Sequence, residues 1–241
     1  MNLIELKDVS FKYTSTLFLD LNLQITNKTF LCIAGCNNSG KTTLLKILSG
    51  ELMCDNIYYL GEKVNDPNLL KEKVCYINKD TIFYSKTIID ELSLYTSNEY
   101  EIKKLLNYFN LINYINSSPN TLSSENKLIL KIIISLLKKT EVILLDNVFS
   151  FFSNDFKKNF INLLFKYTSK KEIAVIFTTN DLNESIYFDE LLIINDNKLG
   201  YAMEKSNLTT PFSIELSEKL MLYNLIEEEE YNIEKLVDKL C

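Results

Sequence analysis

The chain has 241 residues, of which 46% are apolar and 24% charged, enough for one α/β domain or for a core with an inserted subdomain. This composition excludes a disordered protein and a disulfide scaffold. The net charge of −6, without any lysine-dense stretch, argues against a nucleic-acid partner. Histidine and arginine do not occur, so histidine bases, imidazole-bound zinc and an arginine finger from this chain are excluded.

The cysteines and the apolar stretches indicate the compartment. Five cysteines, an odd number with no CxxC pair, are typical of reduced thiols in a cytoplasmic protein. The longest apolar stretch, residues 128–137, is interrupted by Lys131 and is shorter than the ~20 residues of a membrane helix. Residues 1–9 alternate like a strand and do not resemble a secretory signal. We expect a cytoplasmic chain that does not cross a membrane.

The first half of the chain predicts strands followed by helices. Alternating residues over 3–25 indicate two antiparallel strands around a turn at 14–16, and the apolar run 30–34 indicates a strand buried on both faces. A helix is expected at 42–48 and strands at 56–60 and 73–77. Helical periodicity from 85 to 139 predicts an inserted helical subdomain, in which one face carries Leu105, Leu106, Phe109 and Ile112.

The second half predicts a parallel sheet. Buried-type strands at 142–146 and 173–177 flank a helix at 156–167, which is the βαβ alternation, and a strand at 191–195 closes the core. Residues 206–241 are expected to form a helical extension whose acidic run, 227–230, is a solvated face.

One motif lies between the strand at 30–34 and the helix that follows, and it fits the pattern GxxxxGK[ST] of a phosphate-binding P-loop. In this motif backbone N–H groups and the helix N-terminus face the phosphates. We expect Lys41 to reach the β and γ oxygens of ATP, and Thr42 to ligate Mg²⁺. The expected nucleotide-binding residues of the loop are Gly35, Cys36, Asn37, Asn38, Ser39, Gly40, Lys41, Thr42 and Thr43.

The backbone conformation of this loop requires particular residues at particular positions. We expect Gly35 to permit the tight turn and Gly40 to let the backbone approach the phosphates. Asn38 takes a position that is glycine in many such loops, and asparagine tolerates the left-handed conformation. Asp146 ends the strand at 142–146 and is expected to hold Mg²⁺ through water, together with Thr42. The predicted fold class is therefore a P-loop nucleotide-binding α/β core, with a mostly parallel sheet, an N-terminal antiparallel β-layer and the inserted helical subdomain.

Over nearly all of residues 1–205 the chain resembles the ATP-binding subunits of ABC transporters. Residues 144–147 match the Walker B motif, and residues 177–181 match the stretch with the switch histidine. Tyr13 stands where that family stacks an aromatic ring on adenine, and Lys79 stands at its hinge glutamine. The LSGGQ signature corresponds to Leu122, Ser123, Ser124, Glu125 and Asn126. The tail, residues 210–212, is similar to the energy-coupling-factor branch.

The positions that the resemblance associates with hydrolysis have changed. Asn147 replaces the catalytic glutamate, and an amide cannot take a proton from water. Loss of a general base typically lowers a rate by ~10² to 10⁴-fold. Asn180 replaces the switch histidine, and residues 150–153 lack the usual aspartate. The binding residues are kept, so we assign ATP and Mg²⁺ as ligands but no catalytic residue.

The resemblance implies a dimer in which each signature loop faces the nucleotide of the partner. Glu125 then places a carboxylate near phosphate, at a cost on the order of 3 kcal/mol for unit charges ~5 Å apart at an effective dielectric of ~20. The alternative is structural: Ser123 is an N-cap and Glu125 a first-turn acid of a helix over 126–137.

The resemblance also implies a function. The chain is expected to be an ATP-binding subunit, peripheral on the inner face of the cell membrane, that couples MgATP to permease subunits with weak or no hydrolysis of its own. A heterodimer with an intact subunit is favoured over a homodimer, because the partner then supplies one catalytic glutamate. The alternatives are a nucleotide-sensing regulatory protein and a paralogue without retained function.

Overall fold

A computed structural model of the chain describes residues 2–12, 16–80, 82–150, 152–188, 190–195 and 198–204. The strands in this part are β1 (Asn2–Lys12), β2 (Thr16–Thr26), β3 (Phe30–Gly35), β4 (Ile57–Tyr59), β5 (Glu62–Lys63), β6 (Val74–Ile77), β7 (Val142–Asp146), β8 (Ala174–Thr179), β9 (Glu190–Asn195) and β10 (Lys198–Glu204). Its α-helices are α1 (Lys41–Leu48), α2 (Pro67–Lys73), α3 (Ile88–Ser93), α4 (Glu99–Tyr108), α5 (Ser124–Leu137) and α6 (Asn154–Lys171). None of these helices combines the length and the apolar character needed to span a bilayer.

Two sheets form the framework. The larger has the order β10-β9-β3-β8-β7-β6, and the strands from β9 to β6 are parallel, while β10 pairs antiparallel with β9. The smaller sheet, β2-β1-β4-β5, is antiparallel. Both sheets confirm the predicted fold class. Because parallel strands have their carboxyl ends at one edge, β3, β7 and β8 all deliver their last residues to the same side of the molecule.

The larger sheet is covered on both faces. Along β3, Cys32 and Ala34 belong to one hydrophobic cluster and Leu31 and Ile33 to another, as the two-residue period of a strand requires. The first cluster contains the helical subdomain and α6, and the second contains α1 and the smaller sheet. The continuous apolar runs of β3 and β7 therefore correctly indicated strands buried on both sides.

Helix boundaries depart from expectation where capping decides them. Helix α5 begins at Ser124, two residues before the predicted start, because the Ser123 hydroxyl caps it by accepting the amide N–H of Asn126 at 3.2 Å. Helix α2 was not predicted, although Asp66 accepts the Asn68 amide and Pro67 takes the first position. Helix α6 is longer than its predicted range of 156–167.

The helical subdomain contains α3, α4 and α5, which lie within the predicted range of 85–139. Leu105, Leu106 and Phe109 share the buried face that was predicted, and Ile112 packs beside them as a partly buried residue. Two predictions lie outside the described residues: the adenine-stacking Tyr13 and the helical extension of residues 206–241, with the tail 210–212.

Candidate nucleotide-binding site

The P-loop connects β3 to α1, as predicted, and two of its residues have left-handed backbones. Asn38 has φ 65° and Gly40 has φ 101°, which lies in the region reserved for glycine. Gly40 supplies the positive φ, whereas Gly35 is needed for the close approach to β9, since a Cβ there would lie 2.6 Å from the Ile194 carbonyl oxygen. The expected roles of Gly35 in the tight turn and of Gly40 in the approach to the phosphates stay predictions.

The side chain of Lys41 turns back into the P-loop, so that its ammonium lies among the loop's own backbone atoms. Its ammonium donates to the carbonyl oxygens of Gly35 and Cys36, both at 2.7 Å, and to the Ser39 hydroxyl at 3.2 Å. Only 7% of the residue is exposed. Burial lowers the pKa of Lys41, and the negative charge of Asp146 partly offsets this effect. The loop thus holds a largely desolvated cation without a carboxylate in direct contact, which suits an anionic ligand.

Asp146 ends β7 and is surrounded by hydroxyl groups. Its Oδ2 accepts hydrogen bonds from Thr42 at 2.8 Å and from Tyr76 at 2.7 Å, while its Oδ1 accepts one from Thr178 at 2.7 Å. The residue is 8% exposed. Three donors from three different elements therefore fix both carboxylate oxygens at the carboxyl edge of the sheet.

Thr42 and Asp146 fit a magnesium ion by the chemistry of their donors. Mg²⁺ prefers oxygen ligands and usually combines one or two protein oxygens with phosphates and water. A hydroxyl and a carboxylate in direct contact at the end of the P-loop supply such a pair. Among the described residues no three carboxylates or cysteines lie together as a dedicated metal cage, so the nucleotide phosphates would supply further ligands.

Asn147 follows Asp146 with a left-handed backbone, φ 48°. Its amide N–H is shared between the Thr178 carbonyl oxygen at 3.1 Å and the Thr178 hydroxyl at 3.0 Å. The side-chain oxygen accepts a hydrogen bond from Ser150 at 2.9 Å. The side chain at the position of the catalytic glutamate is thus a neutral amide that is already engaged.

Asn180 lies just beyond the end of β8. Its Nδ2 donates to the Asn37 side chain at 2.8 Å and so links the switch position directly to the P-loop. The segment behind it is anchored by a buried ion pair between Lys157 and Glu184, 2.6 Å apart, and Glu184 also accepts a hydrogen bond from Thr179 at 2.6 Å. The backbone beside Asn180 is therefore firmly held.

A cavity of about 370 Å³ brings these groups together, and we call it the P-loop cavity. Its walls combine the loop itself, the start of α1 and the ends of β7 and β8. The lining residues are Asn37, Asn38, Ser39, Gly40, Lys41, Thr42, Thr43, Asp146, Asn147 and Asn180. The position at the carboxyl ends of parallel strands is where open α/β sheets bind ligands. Fold and cavity together define a P-loop nucleotide-binding domain.

The other predicted residues lie elsewhere. Lys79 is exposed and lines a second cavity, and it is not among the lining residues of the P-loop cavity. The signature residues 122–126 surround the start of α5, where Ser123 is the cap and Glu125 lies in the first turn. Both structural roles stated as the alternative are confirmed. Whether this loop also faces the nucleotide of a partner remains a prediction.

Two residues of the site were not predicted from the sequence. Tyr76 and Thr178 both hold Asp146, and each lies on a strand next to β7. The register explains the contact of Thr178, which pairs directly with Asp146 across β7 and β8. The order of the strands was the missing information, because Tyr76 belongs to no motif and Thr178, although it lies in the stretch 177–181, has no role of its own in that match.

The family follows from a sequence comparison. A profile of the ABC transporter family matches residues 18–150, so the chain belongs to this family. Its relatives include energy-coupling factor transporter ATP-binding proteins named EcfA1. The one from Mycoplasma mobile is 27% identical over 99% of this chain and 96% of its own length. The one from Staphylococcus saprophyticus is 27% identical over 91% of this chain and 93% of its own length.

Solved structures agree on the fold. CbiO1 from Clostridium perfringens, described as part of the ABC transporter complex cbiONQ, superposes with a TM-score of 0.79 at 16% identity and covers 92% of this chain and 95% of its own. The ADP conformation of the ATP-binding cassette MJ1267 superposes with a TM-score of 0.75 at 14% identity, over 94% of this chain and all of its own. At such identities these likenesses establish the P-loop ABC fold.

Proposed function

We propose that the chain is the ATP-binding subunit of an ABC transporter and that it binds MgATP in the P-loop cavity. The observation that carries this proposal is the buried Lys41 ammonium, which contacts two loop carbonyls beside the paired Thr42 and Asp146 oxygens. Backbone N–H groups, a cation and metal-ligating oxygens thereby meet at one helix N-terminus. Cys36, Asn37 and Asn38 complete the loop, while Tyr13 is assigned to adenine on the family resemblance alone.

We further propose that hydrolysis by this chain is weak or absent. A general base must accept a proton from the attacking water, and the side chain of Asn147 is a neutral amide that accepts the Ser150 hydroxyl. Asn180, at the switch position, is likewise an amide and donates to Asn37. The one carboxylate that lines the cavity within the described residues, Asp146, is occupied by three hydroxyl donors.

Equilibrium binding of MgATP to the purified chain, followed by phosphate release from the same sample, tests both parts. Binding that Lys41→Ala abolishes, with release no faster than in the Lys41→Ala control, is the expected result. Binding with clear turnover would contradict the loss of hydrolysis and leave the binding site intact. No binding by a folded chain would overturn the proposal itself.

The transporter assignment draws on the relatives and on several exposed apolar side chains. The relatives named above are ATP-binding proteins of energy-coupling factor transporters, and we propose that this chain serves a transporter of that type. In the helical subdomain and the segment just before it, four large apolar or aromatic side chains are exposed by 61% to 81%: Ile82, Tyr84, Leu94 and Tyr100. The buried Glu91 accepts the amide N–H groups of Tyr84 and Ser85, which holds this segment in place. Large apolar side chains exposed in this way suit a protein partner, here permease subunits at the inner face of the cell membrane.

We propose a heterodimer with a second ATP-binding subunit. In a homodimer both composite sites would combine Asn147 with Glu125, whereas an intact partner supplies its own glutamate to one site. Co-expression with the permease genes and the candidate partner tests this assembly, and Tyr84→Lys should weaken the recovery of the permease. Recovery with soluble proteins only would favour the alternative, a nucleotide-sensing regulatory protein.

A further inference from the structure

A second cavity of about 360 Å³, which we call the lysine cavity, lies where the helical subdomain meets the core. Three lysines line it: Lys79 after β6, and Lys127 and Lys131 on α5. Lys127 and Lys131 are four residues apart and so lie on one face of the helix. The lining residues in the described part of the chain include no acidic side chain, although the whole chain has a net charge of −6.

Lys131 is the best-ordered cation of this cavity. Its ammonium donates to the carbonyl oxygens of Asn78 at 3.0 Å and Asp80 at 2.6 Å. An ammonium has three N–H donors, and these two carbonyls use two of them. Burial lowers the pKa of Lys131 to about 8, while Asp80 and Cys75 oppose that effect. Within the described residues, Lys131 is thus a partly desolvated cation with two neutral acceptors and one N–H donor left over.

The rest of the cavity wall is of two kinds. Ser124 opens α5, so the positive end of a 14-residue helix lies at the cavity. Leu128, Val148 and Phe152 supply an apolar wall, and Phe152 is only partly buried. Cationic and apolar walls in one cavity suit a ligand that carries a compact negative group on a hydrocarbon or aromatic body.

We propose that the lysine cavity binds a small organic phosphate. A phosphate monoester carries between about −1.5 and −2 charges at neutral pH, so one compact group can contact several lysines. A carboxylate, with one charge and two oxygens, offers the lysines less negative charge and fewer acceptors. The apolar wall receives the organic part of the ligand. This site shares no residue with the P-loop cavity and does not depend on the proposed binding of ATP.

Such a ligand would connect three segments of the molecule. It would contact Lys79 behind β6, the face of α5, and Phe152 in the connection between β7 and α6. Since α5 belongs to the helical subdomain and β6 and β7 to the core, the bound phosphate would hold the two units together.

Titration calorimetry with phenyl phosphate on the full chain tests the proposal. Lys127→Gln should weaken binding at least about 5-fold, because it removes a charge that makes no hydrogen bond or ion pair in the described part of the chain. Lys41→Ala should change the affinity less than 2-fold, and so should Lys104→Gln, an exposed lysine on α4. Inorganic phosphate and benzoate should each bind at least about 3-fold more weakly than phenyl phosphate.

A residue-level measurement guards against misfolded variants. Acetylation of the wild-type chain, read by peptide mass spectrometry, should show that phenyl phosphate protects Lys127 and Lys131 but not Lys104. The proposal is overturned if protection is absent or if Lys127→Gln binds phenyl phosphate as tightly as the wild type. It is also overturned if Lys41→Ala is the variant that weakens the binding of phenyl phosphate. Binding only to vesicles that contain phosphatidic acid would also overturn it, since the ligand would then be a membrane.

Discussion

The chain has two cavities of nearly equal size, about 370 and 360 Å³, and each contains a lysine whose ammonium donates to backbone carbonyls. Burial lowers the pKa of both Lys41 and Lys131. The surroundings differ, however. Lys41 lies in a polar loop beside the metal-ligating oxygens of Thr42 and Asp146, whereas Lys131 has an apolar wall and two further lysines. In each cavity a lysine with neutral acceptors, removed at least in part from water, suits an anionic ligand, and the neighbouring side chains suit different anions.

The strongest test of the first cavity removes its cation. Lys41→Ala should weaken MgATP binding roughly 100-fold, because charged hydrogen bonds contribute about 1.5–3 kcal/mol each and a phosphate would accept at least one or two of them. Equilibrium binding to the purified chain measures the change. Lys46→Ala, in the last turn of the same helix, is the matched control and should bind as the wild type does. Equal affinity of the two variants would mean that nucleotide binds elsewhere.

A second prediction tests whether the missing glutamate explains the loss of hydrolysis in the same cavity. Asn147→Glu introduces a carboxylate next to Asp146 and should raise phosphate release about 10-fold or more if a base is what is missing. Asn147→Gln is the control, because a glutamine side chain has the length of glutamate but cannot take a proton. Both substitutions must adopt the same left-handed backbone, φ 48°. A rise in both variants would point to the loss of the Ser150 contact instead. No rise in either would place the defect at Asn180 or in the signature loop.

A smaller effect concerns the positioning of Asp146. Tyr76→Phe removes one of three hydroxyl donors to this carboxylate and should raise the Mg²⁺ concentration for half-maximal ATP binding about 5-fold, which corresponds to about 1 kcal/mol. ATP binding without magnesium should stay unchanged. Tyr114→Phe, at an exposed position, is the control. An equal loss with and without magnesium would assign Tyr76 a structural role only.

The sequence predicted the first cavity well because its information is local. Nine consecutive residues specify the P-loop, and a continuous apolar run ending in Asp146 specifies the strand beside it. Tyr76 and Thr178 could not be found in this way. They lie 70 and 32 residues from Asp146 and reach it only through the strand order and register.

The second cavity was missed for a related reason. In the sequence Lys131 is simply the polar residue that interrupts an apolar helix, and nothing local indicates that its ammonium meets the carbonyls of Asn78 and Asp80, some 50 residues earlier. Capping explains the errors at helix ends. The start of α5 depends on the Ser123 hydroxyl, for which the sequence left both an N-cap role and a role in the signature motif open.

The least intrusive test of the second cavity uses pH. The pKa of Lys131 is lowered from its ordinary value of 10.5 to about 8 in the folded chain. Between these two pH values the unfolded chain binds more protons than the folded one, so this lysine makes the free energy of unfolding rise with pH. Below about pH 8 both states are protonated, and the contribution is constant. Wild type should therefore gain stability relative to Lys131→Met as the pH rises from 8 to 10.5.

Denaturant titrations of the two proteins across this range measure the difference, in which the other titrating groups cancel to first order. Lys104→Met shows how much the loss of any exposed lysine changes the dependence of the free energy of unfolding on pH. Excess phenyl phosphate should reduce the slope, because a bound anion stabilises the protonated ammonium and raises the pKa of Lys131 towards its ordinary value. A slope that phenyl phosphate leaves unchanged would mean that the ligand does not reach Lys131. The two cavities would then share a lysine with a lowered pKa but not the ability to bind an anion.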